Sequence, residues 1–182
     1  MMIERIRREH GYMVRLLAIL RRKLSLLRQE KSINYSLIKE VVDYLANHSE
    51  KVHHPKEDIL YNHYIAKYGS VELENLVKEH EVLAKKTHDF MLLVEMILND
   101  AVVPQEMFIE QLEDFLNCQK HHLDFEEQSI LPAIENTFDE QDWVEVEKLW
   151  DVSEDDPVFG SNIADKYRQL ADRVRQNDNE YF

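Results

Sequence analysis

Apolar side chains recur at spacings of three and four along four long stretches of the chain. The first runs Ile3, Ile6, His10, Met13, Leu17, Leu20, Leu24 and Leu27, and ends near Lys31 and Ser32. That rhythm gathers one stripe on one face of an α-helix. The second is expected from about Asn34 to Lys67, with Val41, Leu45, His53, Glu57, Leu60 and Tyr64 inward. Gly69 and Ser70 then supply a stop and a fresh N-cap. The third carries Leu73, Leu76, His80, Leu83, Thr87, Phe90, Val94 and Ile97, and breaks between Asn99 and Pro104. The fourth carries Phe108, Leu112, Phe115, Gln119, His122, Glu126 and Ser129, and closes near Pro132 or a turn later. Four helices with short joins predict an all-α fold, an up-down-up-down four-helix bundle.

The pattern changes near Asp139. Segment 139–160 is acidic, holds both tryptophans and ends in a Pro/Gly turn. A short helix from about Asn162 to Arg175 follows, with Ile163, Tyr167, Leu170 and Val174 on one side. The expected division is a bundle over residues 1–137 and a C-terminal helical appendage over 138–182 packed on it. Residues 176–182 are expected to fray.

Composition adds boundaries. Only 3 Gly and 4 Pro in 182 residues leave few turns, which favours long helices over many short strands. The net charge of −14 repels phosphate backbones and anionic lipid, so neither nucleic acid nor membrane is an expected partner. The single cysteine, Cys118, rules out an internal disulfide and a Cys-rich zinc site. With no apolar h-region at the N-terminus and no membrane-length apolar run, the expected location is cytoplasmic. The sequence admits a homodimer.

The informative positions are the polar interruptions of the stripes. His10, His53, His80 and His122 sit in register with the inner face of four different helices. His53 with Glu57, and His122 with Glu126, are spaced i, i+4 and share a face. A buried unpaired carboxylate is costly. Inward carboxylates and imidazoles together call for a cation that cancels negative charge and accepts nitrogen lone pairs. Such donors suit iron, manganese or zinc rather than calcium or magnesium. Four imidazoles and two bridging carboxylates give eight donors. Two six-coordinate ions need about twelve, which leaves room for a bridge and open positions.

Other residues are weighed against this set. His54 is rotated about 100° from His53 on a helix and is either an extra ligand or an outward side chain. A shifted pair, His54 with Asp58, has the same spacing as His53 with Glu57. His121, His88 and His63 are expected outside the centre, His63 exposed, and His48 at a core boundary. Pro55 lies between His53 and Glu57. Either it kinks a continuous helix, or the helix breaks and restarts there. Cys118 is expected to be structural.

These residues resemble the hemerythrin-like family, also called the HHE cation-binding domain, in its bacterial form with a C-terminal helical tail. The resemblance rests on His10 in REHGYM, HHPKEDIL from His53 to Leu60, KEHEVL around His80, and HHLDFEEQSILP from His121 to Pro132. Asp142-Trp143 and the run Asp156 to Gly160 resemble the tail. The resemblance implies a bundle with a di-iron centre that binds or senses O2, NO or peroxide, or handles iron. A redox or repair enzyme using the same centre, or a module with one structural metal such as zinc, are the alternatives. Oxygen-carrying members have a second His four residues on in the third helix; here that position is Ala84. The implied ligands are His10, His53, Glu57, His80, His122 and Glu126, with His54 as a possible extra one.

Overall fold

The structure is a computed structural model that describes residues 1–150 and 155–180, with side chains described to residue 176. Its helices are α1 (Met2–Arg28), α2 (Tyr35–Tyr44), α3 (His54–Tyr68), α4 (Val71–Leu98), α5 (Gln105–Phe125), α6 (Leu131–Thr137), α7 (Glu140–Lys148) and α8 (Arg168–Glu180). Two π-helical segments, Leu45–His53 and Glu126–Ile130, join α2 to α3 and α5 to α6 without interrupting the helical path. Among the described residues there is no strand, and no helix is long and apolar enough to cross a membrane.

The long helices start and stop for local reasons. Asn34 and Ser70 cap α2 and α4 by accepting the amides of Leu37 (3.1 Å) and Leu73 (3.3 Å). α1 and α4 each end with a residue of positive φ, Glu30 (57°) and Asp100 (62°). The following amides, of Lys31 and Ala101, each reach back 3.0 Å to the carbonyls of Leu26 and Met96. That double-back bonding is the Schellman arrangement. Both turns fall where the hydrophobic rhythm lapses.

α1 packs on α5, and α2 and α3 pack on α4. The interior is two apolar clusters. One gathers Leu16, Leu20, Val41, Tyr44, Phe90, Phe108 and Phe115 among others. The other gathers Met2, Ile6, Leu60, Tyr61, Leu76, Ile130 and Ile134. Between them along the bundle lies a layer of buried polar residues, including His10, His53, Glu57, His80, His122 and Glu126.

The tail closes over both clusters. α7, capped reciprocally by Asp139 and Asp142, brings Val146 and Trp143 onto the second. α8 brings Leu170, Ala171 and Val174 onto the first. Tyr44 donates its hydroxyl to Asp156 (2.7 Å), Tyr167 donates to Asp43 (2.6 Å), and Phe159 stacks on Tyr12 (4.1 Å).

Three expectations change. The last helix does not start at Asn162: Asp155 accepts the amides of Ser161 and Asn162, which holds them in the turn, and regular helix follows only after a 3-10 turn at Asp165–Tyr167. His63 is not exposed; it is half-buried and meets Asp142 at 2.7 Å. Ser129 is exposed while Ile130 is buried, because the π segment carries one residue more than the α-helical rhythm allows. Of the segment expected to fray, residues 181 and 182 lie outside the described residues.

Candidate metal centre

Both π segments sit against the polar layer, and each ends two residues before a proline. Pro55 and Pro132 cannot give the amide that an α ladder needs from them. In both places the α-helix restarts with the proline in its first turn, where no such amide is required. The π turns serve aim as well as bonding. Leu45, Ser49, His53 and Glu57 are buried at steps of four. In an α-helix each step of four overshoots a turn by about 40°, and the wider π turn takes up that drift. Pro55 therefore neither spoils the pair nor simply kinks the helix: His53 Nε2 stays 2.9 Å from Glu57 Oε1.

Among the described residues, two groups of potential ligand atoms fall within 4.8 Å of one another: His10, His53 and Glu57, and His54, Glu57, His80 and His122. Glu57 belongs to both. Its Oε1 lies 2.7 Å from His10 Nε2, and its Oε2 lies 3.5 Å from His80 Nε2. Glu126 also sits between the groups, with Oε2 3.4 Å from both His10 and His122 and Oε1 3.4 Å from His80. Tyr61 donates its hydroxyl to Glu126 Oε1 (2.7 Å) and fixes that carboxylate. All seven residues named from the sequence are thus together. His54, left open by its position, is buried and stacks flat on His80 with ring centres 4.1 Å apart. Asp58, the partner in the shifted pair, instead meets His80 Nδ1 at 3.0 Å.

The outer nitrogens have partners that the hydrophobic rhythm did not single out. Each Nδ1 faces a carboxylate: His10 faces Glu127 (2.6 Å), His53 faces Glu9 (2.6 Å), His54 faces Glu50 (3.0 Å), His80 faces Asp58 (3.0 Å) and His122 faces Glu79 (3.7 Å). Such outer partners fix the tautomer and aim the opposite nitrogen. The signal for most of them was adjacency to a candidate ligand, as in Glu9-His10, Glu79-His80 and Glu126-Glu127, and for Glu50 its i, i+4 spacing to His54. In a chain this acidic, adjacency alone does not separate them from solvated surface.

A cation fits this layer. His53 Nε2, Glu57 Oε2, both nitrogens of His122 and Glu126 Oε2 are buried with no hydrogen-bond partner. Apart from Trp150 Nε1, no other buried side-chain atom among the described residues is so left. Orphaned buried groups of that kind are costly, and all of these except His122 Nδ1, which faces Glu79, converge on one place.

Without a cation, protons do part of its work. Burial disfavours charge on His10, but its bonds to Glu127 and Glu57 and the nearby carboxylates outweigh it and push the imidazole up to about 10. Burial likewise opposes charge on His80, and Asp58 and Glu126 push it up to about 10. A ligating imidazole nitrogen must give up its proton. Two consequences have opposite sign. The metal-free fold draws stability from these raised groups below about pH 6.5, the ordinary His value, and loses it as pH climbs towards 10. Cation affinity instead strengthens over the same range, by about tenfold per pH unit for each proton displaced. Chelator-competition titrations from pH 6 to 9 are expected to show that rise; a flat profile would contradict it.

The fold and this layer define a helical-bundle protein with a buried imidazole–carboxylate centre shaped for cations. The hemerythrin HHE cation-binding domain matches residues 1–134, and the chain belongs to that family. No curated protein and no solved structure matches it.

Proposed function

We propose that the chain is a non-haem di-iron protein that binds or senses O2, NO or peroxide. The observation that carries this reading is the shared Glu57, one oxygen towards His10 and His53 and the other towards His80. A carboxylate between two donor groups is what a pair of ions uses as a bridge. A single zinc takes about four ligands, and the buried imidazoles and carboxylates here exceed that number.

Donor counting supports a reactive centre. Five imidazoles and the two carboxylates, each bridging, supply nine donors. A solvent-derived bridge would occupy one place on each ion. Two six-coordinate ions need about twelve, so one place stays open. That place would fall on the side of His10 and His53, which offers two imidazoles rather than three. Reduced iron there would supply electrons and a vacant position to a diatomic molecule. His54 supplies a fifth imidazole from α3, but Ala84 stands where oxygen carriers have their second His, which favours a sensing or redox-active centre over an oxygen store.

The same proposal keeps residues 1–137 as the bundle and 138–182 as its appendage, supported by the end of α6 at Thr137 and of the family match at residue 134. The test is anaerobic loading with ferrous iron, metal quantification, and optical spectra after O2 or NO. Two irons per chain with new charge-transfer absorbance are expected. One zinc per chain and no such absorbance would sink the proposal. Sustained consumption of peroxide or NO with a reductant would indicate a redox enzyme rather than a stoichiometric binder.

A further inference from the structure

We propose that the outer carboxylates make the two ion positions unequal, so that the ion of His10 and His53 is the first to become ferric and the last to be reduced. This rests on the di-iron reading and adds a property to it. An imidazole that donates Nδ1–H to a carboxylate becomes a stronger electron donor through Nε2. A stronger donor stabilises the more highly charged ion.

The five partners are graded by side. His10 and His53 each have a carboxylate at 2.6 Å, shorter than the usual charge-assisted contact of about 2.7–2.9 Å. On the other side the contacts are 3.0 Å for His54, 3.0 Å for His80 and 3.7 Å for His122. Glu9 is buried and held from behind by Arg5 Nε (2.9 Å) and Lys56 Nζ (3.1 Å), both on its Oε1. Its Oε2 is left to His53. Glu127 is held by Arg7 at 3.6 Å and gives its Oε1 to His10. Those cations temper the carboxylate charges but also lock their positions. Glu9 and Glu127 are therefore positioning residues, acting on iron through His53 and His10.

The steps concerned are one-electron oxidations, ferrous to ferric at one ion and then at the other, with the electrons passing to the titrant. An unequal pair separates the two steps and populates a mixed-valence form between them. The experiment is a mediated redox titration of the full chain after anaerobic iron loading, followed by electron paramagnetic resonance of the mixed-valence form. Wild type is compared with Glu127→Gln, Glu9→Gln and Glu79→Gln. Gln keeps an acceptor and removes the charge. Glu127→Gln and Glu9→Gln are expected to raise the lower of the two midpoints and narrow the mixed-valence window; Glu79→Gln, at the longest of the five contacts, is expected to shift the midpoints least. Glu127 is part-exposed, so its variant is the safer one to fold and is the decisive comparison. Midpoints in Glu127→Gln that match those of wild type overturn the inference, as does an equal shift in Glu79→Gln. A wild-type chain that takes up fewer than two irons removes the di-iron reading, and this inference with it. Two irons with a single unsplit step remove the inference alone.

Discussion

Replacing Glu57 with alanine is expected to empty both ion positions together. Its side chain is fully buried and faces both donor groups. Among the described residues no other belongs to both groups. A ligand confined to one side, such as His122, is expected on replacement by alanine to weaken that side first. The metal-free fold should suffer as well. In that state the Glu57 carboxylate, held well below the usual range, is opposed by burial and kept charged chiefly by His53 and His10. Removing it strips the Nε2 atoms of His10 and His53 of their buried anion and leaves each ring only its outer carboxylate; breaking a buried pair in this way costs about 3–5 kcal/mol. Metal analysis and thermal unfolding of Glu57→Ala check both parts. A variant that keeps one ion at wild-type affinity would show that the carboxylate is not shared.

The second large effect is expected away from the centre, at Asp156. This buried carboxylate accepts the Tyr44 hydroxyl (2.7 Å) and the amides of Val158 and Phe159 (2.8 Å each). It fastens the tail turn to α2. Asp156→Ala leaves the fully buried Tyr44 hydroxyl unpartnered and opens the turn that seats Phe159 on Tyr12. Losing hydrogen bonds to a charged group and stranding a buried donor costs about 2–3 kcal/mol. For a chain of this size that lowers Tm by about 5–10 °C. The iron content should stay at its wild-type value. Faster proteolysis of the tail with unchanged metal is the expected result; an unchanged Tm would mean that the tail is held by its apolar contacts alone.

The contrast between these two sites shows what the sequence carried. Inward His10, His53, His80 and His122 were legible because each breaks an apolar stripe in phase with a helical period. Glu57 and Glu126 followed from their i, i+4 spacing. The π turns were not legible from that rhythm, since a period of 3.6 has no place for the extra residue. That is why Ser129 was placed inward instead of Ile130, and why His54 stayed undecided. The outer carboxylates Glu9, Glu50, Glu79 and Glu127 were lost among the acidic residues of a chain with net charge −14, and the spacing of Asp58 pointed to His54 where the fold gives it to His80. The short helix α7 was also missed: its capping box uses Asp139 and Asp142, in a segment where acidity reads as solvated surface.

The proposed centre holds two ions with Glu57 between them. Crystals of the iron-loaded chain measured at the iron absorption edge would test it most directly. Two anomalous peaks are expected, one beside His10 and His53 and one among His54, His80 and His122, with the Glu57 carboxylate between them. A single peak, or a peak away from these residues, would contradict it.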